Sequence, residues 1–206
     1  MDCATTPALL KAQFIRASEI GLLNSSQIDT QIAHSYNFLK LMPVSSKKIL
    51  DLGTGIGIPG IVVASMLTSA SVFLLDANQK KINFVLSVKK DLSLSNLEVL
   101  IGRAEELGRK QDLRESFDCV LTRGFGSPGV TVECAAPFLV VGGDLIISAP
   151  PSPSLDIWSH SSLKSLGLSF PEIKRINYNF YHLKKIAPCL DSFPRRVGIP
   201  SKRPLF

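Results

Sequence analysis

The chain is predicted to be an α/β protein: a mostly parallel, seven-stranded sheet with helices on both faces, preceded by a short helical extension. Three observations predict it. From Lys48 onward short apolar runs alternate with helical segments, the texture of parallel strands joined by helical crossovers. A Gly-rich turn joins the first such strand to the helix after it. Ahead of Lys48, residues 8–20 and 26–41 space their apolar side chains three and four apart, as amphipathic helices do.

Taken in order, Asn24, Ser25 and Ser26 supply a cap signal for the helix over 26–41. KILDL (48–52) reads as a buried strand and 58–67 as a helix. SVFLLD (71–76) is a second strand, followed by a strongly amphipathic helix over 79–92. Strands follow at 97–102, 117–123 and, after a helical stretch near 128–138, at 144–150. PPSP closes that core; beyond it come a helix over 158–166 and two strand-like runs, 173–178 and 180–187. The last dozen residues, rich in Pro and Arg, read as an ordered arm or a loose tail. The expected organisation is a helical extension (1–45), a catalytic-type α/β domain (46–190) and a basic C-terminal arm (191–206).

Composition excludes several classes. With 45% hydrophobic and 19% charged residues, the 206-residue chain has material for one packed core. No apolar run reaches the roughly 18–20 residues of a membrane helix, and no signal peptide is apparent, so a cytoplasmic protein without membrane contact is expected. Cys3, Cys119, Cys134 and Cys189 are scattered, and His34, His160 and His182 lack metal or triad spacing. No metal is expected, and the cysteines read as reduced, mostly buried thiols. The net charge of +6 is unevenly placed: residues 160–206 carry +7 and the rest −1. A basic C-terminal third suits a polyanion such as RNA.

The chemistry should lie at Asp51-Leu-Gly-Thr-Gly-Ile-Gly-Ile-Pro-Gly60, between the first strand and its helix. Gly53, Gly55 and Gly57 let the chain turn sharply and let a ligand lie on bare backbone. A Walker loop fails, because Ile61-Val62 stand where Lys and Ser/Thr are needed. A dinucleotide register on Gly55, Gly57 and Gly60 leaves Gly53 unexplained and puts Pro59 in the turn. Gly53, Gly55 and Gly57 with Asp51 two residues ahead fit an S-adenosylmethionine site better. Asp76 ends the second strand, where a carboxylate accepts both ribose hydroxyls of a nucleoside. After the third strand, the Ala104 N–H and the Glu105 carboxylate are placed for an adenine edge; alternatively Glu105 is a first-turn helix acid. Arg123 ends the fourth strand, where a cation needs an anion or carboxylate.

Together these residues resemble the ribosomal RNA small subunit methyltransferase G family, also called glucose-inhibited division protein B. ILDLGTGIGIPGI, LLDANQKKINFV, RAEEL with LTRGF, and the tail FPRRVGIPSKRPL carry the resemblance, over about residues 32–206. The resemblance implies a Rossmann-like class I methyltransferase that moves a methyl group from S-adenosyl-L-methionine to N7 of a guanosine in 16S rRNA of the 30S subunit. It implies cofactor contacts from Gly53, Ile58, Ala104, Glu105 and Arg123, with Asp76 on the ribose; Gly55 and Gly57 are expected beside them from the glycine turn itself. It implies no general base; catalysis is by alignment, with Arg123 a contributor. Arg195, Arg196, Lys202 and Arg203 are expected to meet RNA phosphate, and removal of Arg195 and Arg196 to spare cofactor affinity. A monomer is expected. The chain departs from the family pattern at Ala33-His34 and at Ser148-Ala149-Pro150. Those departures motivate the alternatives: a non-catalytic RNA-binding protein with a degenerate pocket, or a methyltransferase for another substrate.

Overall fold

The computed structural model describes residues 7–206; Cys3 lies outside them. Two helices, α1 (Pro7–Glu19) and α2 (Ile28–Leu41), lead into β1 (Lys48–Leu52). Then come α3 (Gly60–Met66), β2 (Ser71–Asp76), α4 (Gln79–Asp91), β3 (Leu97–Ile101), α5 (Ala104–Leu107), β4 (Phe117–Thr122) and α6 (Pro128–Ala135). The chain continues through β5 (Leu139–Ser148), α7 (His160–Ser165), β6 (Glu172–Arg175) and β7 (Asn179–Lys184) to α8 (Ile199–Lys202). The sheet order is β3-β2-β1-β4-β5-β7-β6. β1 to β5 are parallel; β7 pairs antiparallel with both β5 and β6.

Alternation along the strands divides the core in two. Ile49, Val72, Leu74, Leu121 and Ile146 pack with α2, α3 and α4 on one face. Leu50, Leu52, Val120, Leu145 and Ile147 pack with α5, α6 and α7 on the other. The N-terminal helices share the first of these cores: Phe14 of α1 and Phe38 of α2 are fully buried in it.

Element boundaries differ from expectation where glycine or proline stands at an end. The fifth strand starts at Leu139, not 144, because Gly142, at φ +92°, sits within it, and its pairing with β4 shifts register between Phe117 and Cys119. The helix expected over 58–67 begins at Gly60, because the chain is still in the turn at Ile58-Pro59. The strands expected over 173–178 and 180–187 are Glu172–Arg175 and Asn179–Lys184, and the helix over 158–166 is His160–Ser165, capped by the Ser159 side chain. The cap signal at Asn24 serves a 3-10 turn ahead of α2. The tail is an ordered arm.

The sheet order reverses between β1 and β4: the chain runs outward through β2 and β3 on one side and through β5 on the other. The loops after β1 and β4 therefore diverge and leave a crevice at the carboxyl edge, where open α/β sheets bind ligands.

Candidate functional site

The chain turns sharply after Leu52 to start α3 beneath the sheet edge. Gly53, Gly55 and Gly57 take φ of +72°, +60° and +93°, the left-handed region that penalises a Cβ. The N–H groups of Gly53 and Thr54 donate to the Leu75 carbonyl at 2.8 and 2.9 Å. The Gly55 N–H donates to Asp76 Oδ2 at 2.8 Å, and the Asn78 N–H to Asp76 Oδ1 at 2.8 Å. The glycine turn and the second-strand carboxylate are thus one hydrogen-bonded unit.

Asp51 lies beneath the turn, 1% exposed. Its Oδ2 accepts from the Thr54 hydroxyl at 2.5 Å and the Gly60 N–H at 2.8 Å, while Oδ1 has no hydrogen-bond partner. Burial raises its carboxyl to about 7, against the two hydrogen bonds; Asp76 adds to the rise and Arg123 opposes it. Gly60 leaves room for this carboxylate, since a Cβ there would stand 2.7 Å from Oδ2.

Three adjoining cavities run along the carboxyl edge. The first, about 320 Å³, is bounded by Gly53, Asp76, Ala104, Glu105, Cys134 and Ser201. The second, also about 320 Å³, shares Gly53, Lys81 and Gly124 with the first and adds Gly55, Ile58 and Arg123. The third, about 420 Å³, shares Arg123 with the second and adds His34, Ser148, Tyr178 and Asn179. A Cβ on Gly55 would meet nothing within 4 Å, so the floor of the trough is bare backbone beside open space. That floor, with the Asp76 carboxylate at its edge, fits a nucleoside whose ribose hydroxyls face the carboxylate.

Most of the expected cofactor residues therefore converge. Gly57 does not line either of the first two cavities; its φ of +93° and a Cβ that would fall 2.2 Å from the Ile61 side chain make its requirement one of backbone and packing. Glu105, 3% exposed, borders the first cavity, but its Oε1 accepts from the Gly198 N–H of the arm at 3.1 Å and from Arg103 at 3.2 Å. Burial opposes ionisation of Glu105, but hydrogen bonds from its own N–H, Gly198 and Arg103 outweigh it and hold the carboxyl below its ordinary value. Arg123 donates to Gln31 Oε1 at 3.2 Å; burial draws its guanidinium down, and the charge of Asp51 works the other way. His34 is a packed histidine among Phe38, Tyr178 and Phe180, with Nε2 3.0 Å from Ser148 Oγ. Burial and then Arg123 lower it to about 4, so it is neutral at pH 7.

The basic segment is less available than its charge implies. Arg195, expected on RNA phosphate, donates through Nε and Nη2 to both oxygens of Glu133 at 2.8 and 2.6 Å, and Glu133 is 0% exposed. Lys185 is buried, with Nζ donating to the Ala136 and Leu166 carbonyls at 2.9 and 3.0 Å. Lys184 pairs with Asp144 and Lys174 with Glu172. Among the described residues, Lys164, Arg175, Arg196, Lys202 and Arg203 make no ion pair. Arg196, Lys202 and Arg203 are exposed on the arm.

Sequence reasoning missed Lys81, Phe125, Tyr178 and Ser201. Lys81 stands in the basic pair after Asp76, a local signal; the place of Ser201 depends on how the arm returns. The Cys134 thiol is buried beside the first cavity, and burial pushes it well up. Among the described residues no group of three or more His, Cys, Asp or Glu side chains is arranged to hold a metal ion. No helix among them is long and apolar enough to cross a membrane.

The reversed sheet order, the glycine turn on the switch point and the carboxylate ending β2 define a class I S-adenosylmethionine-dependent methyltransferase. Solved structures share the fold: a SAM-dependent methyltransferase from Aquifex aeolicus has a TM-score of 0.52 at 18% identity, covering 73% of this chain and 88% of that one. Precorrin-6y C5,15-methyltransferase from Geobacter metallireducens has a TM-score of 0.54 at 16% identity, covering 81% and 92%. The family model for rRNA small subunit methyltransferase G matches residues 16–149. A ribosomal RNA small subunit methyltransferase G from Fervidobacterium nodosum is 32% identical over 91% of this chain and 92% of its own length. One from Dictyoglomus thermophilum is 36% identical over 77% and 69%. The chain belongs to the ribosomal RNA small subunit methyltransferase G family.

Proposed function

We propose that the protein transfers the methyl group of S-adenosyl-L-methionine to N7 of a guanosine in 16S rRNA of the small ribosomal subunit. The observation that carries this reading is the run of adjoining cavities in a chain of this family: the cavity at Asp76 shares Gly53, Lys81 and Gly124 with the one at Gly55, which shares Arg123 with the third. When bound, S-adenosylmethionine supplies a methyl group made electrophilic by its sulfonium. The Asp76 carboxylate, fixed by the Gly55 and Asn78 N–H groups, accepts from the ribose hydroxyls. Gly53 and Gly55 support the nucleoside, and Ala104 faces its base.

Guanine N7 carries an in-plane lone pair and no proton, so the chain need supply no general base. His34, neutral and packed, takes no proton in this scheme. Arg123, between the donor cavity and the third cavity, orients the acceptor. Alignment of donor and acceptor supplies much of the rate; effective molarities of well-oriented reactants reach about 10⁵–10⁸ M. The reading puts the protein in the cytoplasm with its substrate. Arg196, Lys202 and Arg203 meet RNA phosphate.

The test is transfer of labelled methyl from S-adenosylmethionine to 30S subunits and to naked 16S rRNA lacking the modification. Incorporation into either is expected. Cofactor binding without incorporation into any RNA would replace this reading with a non-catalytic RNA-binding protein.

A further inference from the structure

The first cavity has one wall that no strand–helix unit supplies. Ser201 of α8 borders it together with Gly53 and Asp76. Ser201 is brought there by an arm fastened at several points. The Arg195 backbone N–H and Nε both donate to Glu133 Oε1, at 2.9 and 2.8 Å, and Nη2 donates to Oε2 at 2.6 Å. The same Nη2 reaches forward to the Arg203 carbonyl at 2.7 Å, so one side chain ties the start of α8's loop to its end. The Gly198 N–H donates to Glu105. Further on, the Phe206 backbone lies against Gly129 of α6, where a Cβ would come within 2.6 Å of the Phe206 carbonyl oxygen.

The two carboxylates that hold the arm belong to the helices that make the cavity. Glu105 itself borders it, and Glu133 immediately precedes Cys134, which also borders it. Glu133 is fully buried, so its charge is satisfied only with Arg195 in place. An arm anchored only for stability would need no residue at the cavity; this one, held on both sides of α8, carries Ser201 on the lining.

We propose that the C-terminal arm is a fixed wall of the cofactor site, with Ser201 contacting bound cofactor and Arg195 acting as the positioning residue that seats it. The proposal rests on the reading that this cavity holds S-adenosylmethionine. It reverses the expectation that Arg195 can be removed without cost to cofactor affinity.

Binding of S-adenosylhomocysteine to the full chain, measured by calorimetry beside thermal melting, tests it. Ser201 is exposed, so Ser201→Trp should leave the melting temperature within a few degrees while raising the dissociation constant at least tenfold, because the indole enters the cavity. Arg195→Ala should raise the constant, and Arg195→Lys, which keeps the charge but loses the two-oxygen grip, should restore part of it. A folded Ser201→Trp variant with wild-type affinity would overturn the wall. Equal affinity for Arg195→Ala and wild type, both folded, would overturn the positioning role. A wild-type chain that binds no S-adenosylhomocysteine would remove the cofactor reading and the wall with it.

Discussion

Gly55 combines two independent demands on one residue: a φ of +60° and open space where a side chain would project. The backbone demand costs about 1–2 kcal/mol for any L side chain. The spatial demand belongs to the ligand alone, because no protein atom stands within 4 Å. Gly55→Val is therefore expected to lower stability modestly and to weaken cofactor binding by more than tenfold, read by calorimetry on the folded variant. Wild-type affinity would mean that the nucleoside does not lie over this turn. Asp51 makes a different prediction. Its carboxyl, near 3.8 in an unfolded chain, stands at about 7 through burial, so its contribution to stability is present below about pH 4 and lost as pH rises through 7. Asp51→Asn should flatten the fall in urea-unfolding free energy between about pH 4 and pH 7; an unchanged slope would contradict the assignment. Asp51, Gly53, Gly55 and Asp76 were legible in the sequence because a turn motif is local. Ser201 and the Arg195–Glu133 pair were not, because each depends on residues more than 60 positions away.

At the scale of elements, strands and amphipathic helices were legible because periodicity is a property of adjacent residues. Their ends were less so where Gly142-Gly143 continue a strand rather than end it. Charge was the least legible quantity. Lys185 reads as part of a basic surface, yet it satisfies the carbonyls of Ala136 and Leu166, the residues that cap the C-terminal ends of α6 and α7, and burial lowers its ammonium from its ordinary value. Composition counts such a residue as a phosphate ligand; packing makes it a structural one. The cations left for RNA on the arm are Arg196, Lys202 and Arg203. Replacing all three by Ala should weaken RNA binding and reduce the slope of log K against log salt by about 2, at about 0.7 per phosphate contact on single strands. Affinity for S-adenosylhomocysteine should be unchanged, since none of the three borders the cavity. An unaltered salt slope would place the RNA surface elsewhere.

Across the whole molecule, the position of the site follows from topology: the strands diverge between β1 and β4, and the glycine turn, Asp76 and Arg123 all stand at the carboxyl ends of strands there. The extension shares the core on one face through Phe14 and Phe38, and the arm closes over the other through Phe206 against Trp158. The helices from Pro7 onward and the arm are thus part of one body rather than appendages, and the arm carries Arg196, Lys202 and Arg203 near the first cavity. The proposed function puts donor and acceptor in adjoining cavities of this edge and requires only that they be held in line. The most direct measurement of that claim is nucleoside analysis of 16S rRNA from unmodified 30S subunits after incubation with the protein and labelled S-adenosylmethionine. The account predicts label in 7-methylguanosine at a single position, lost with Gly55→Val. Label in another nucleoside, or none from a chain shown to bind the cofactor, would contradict it.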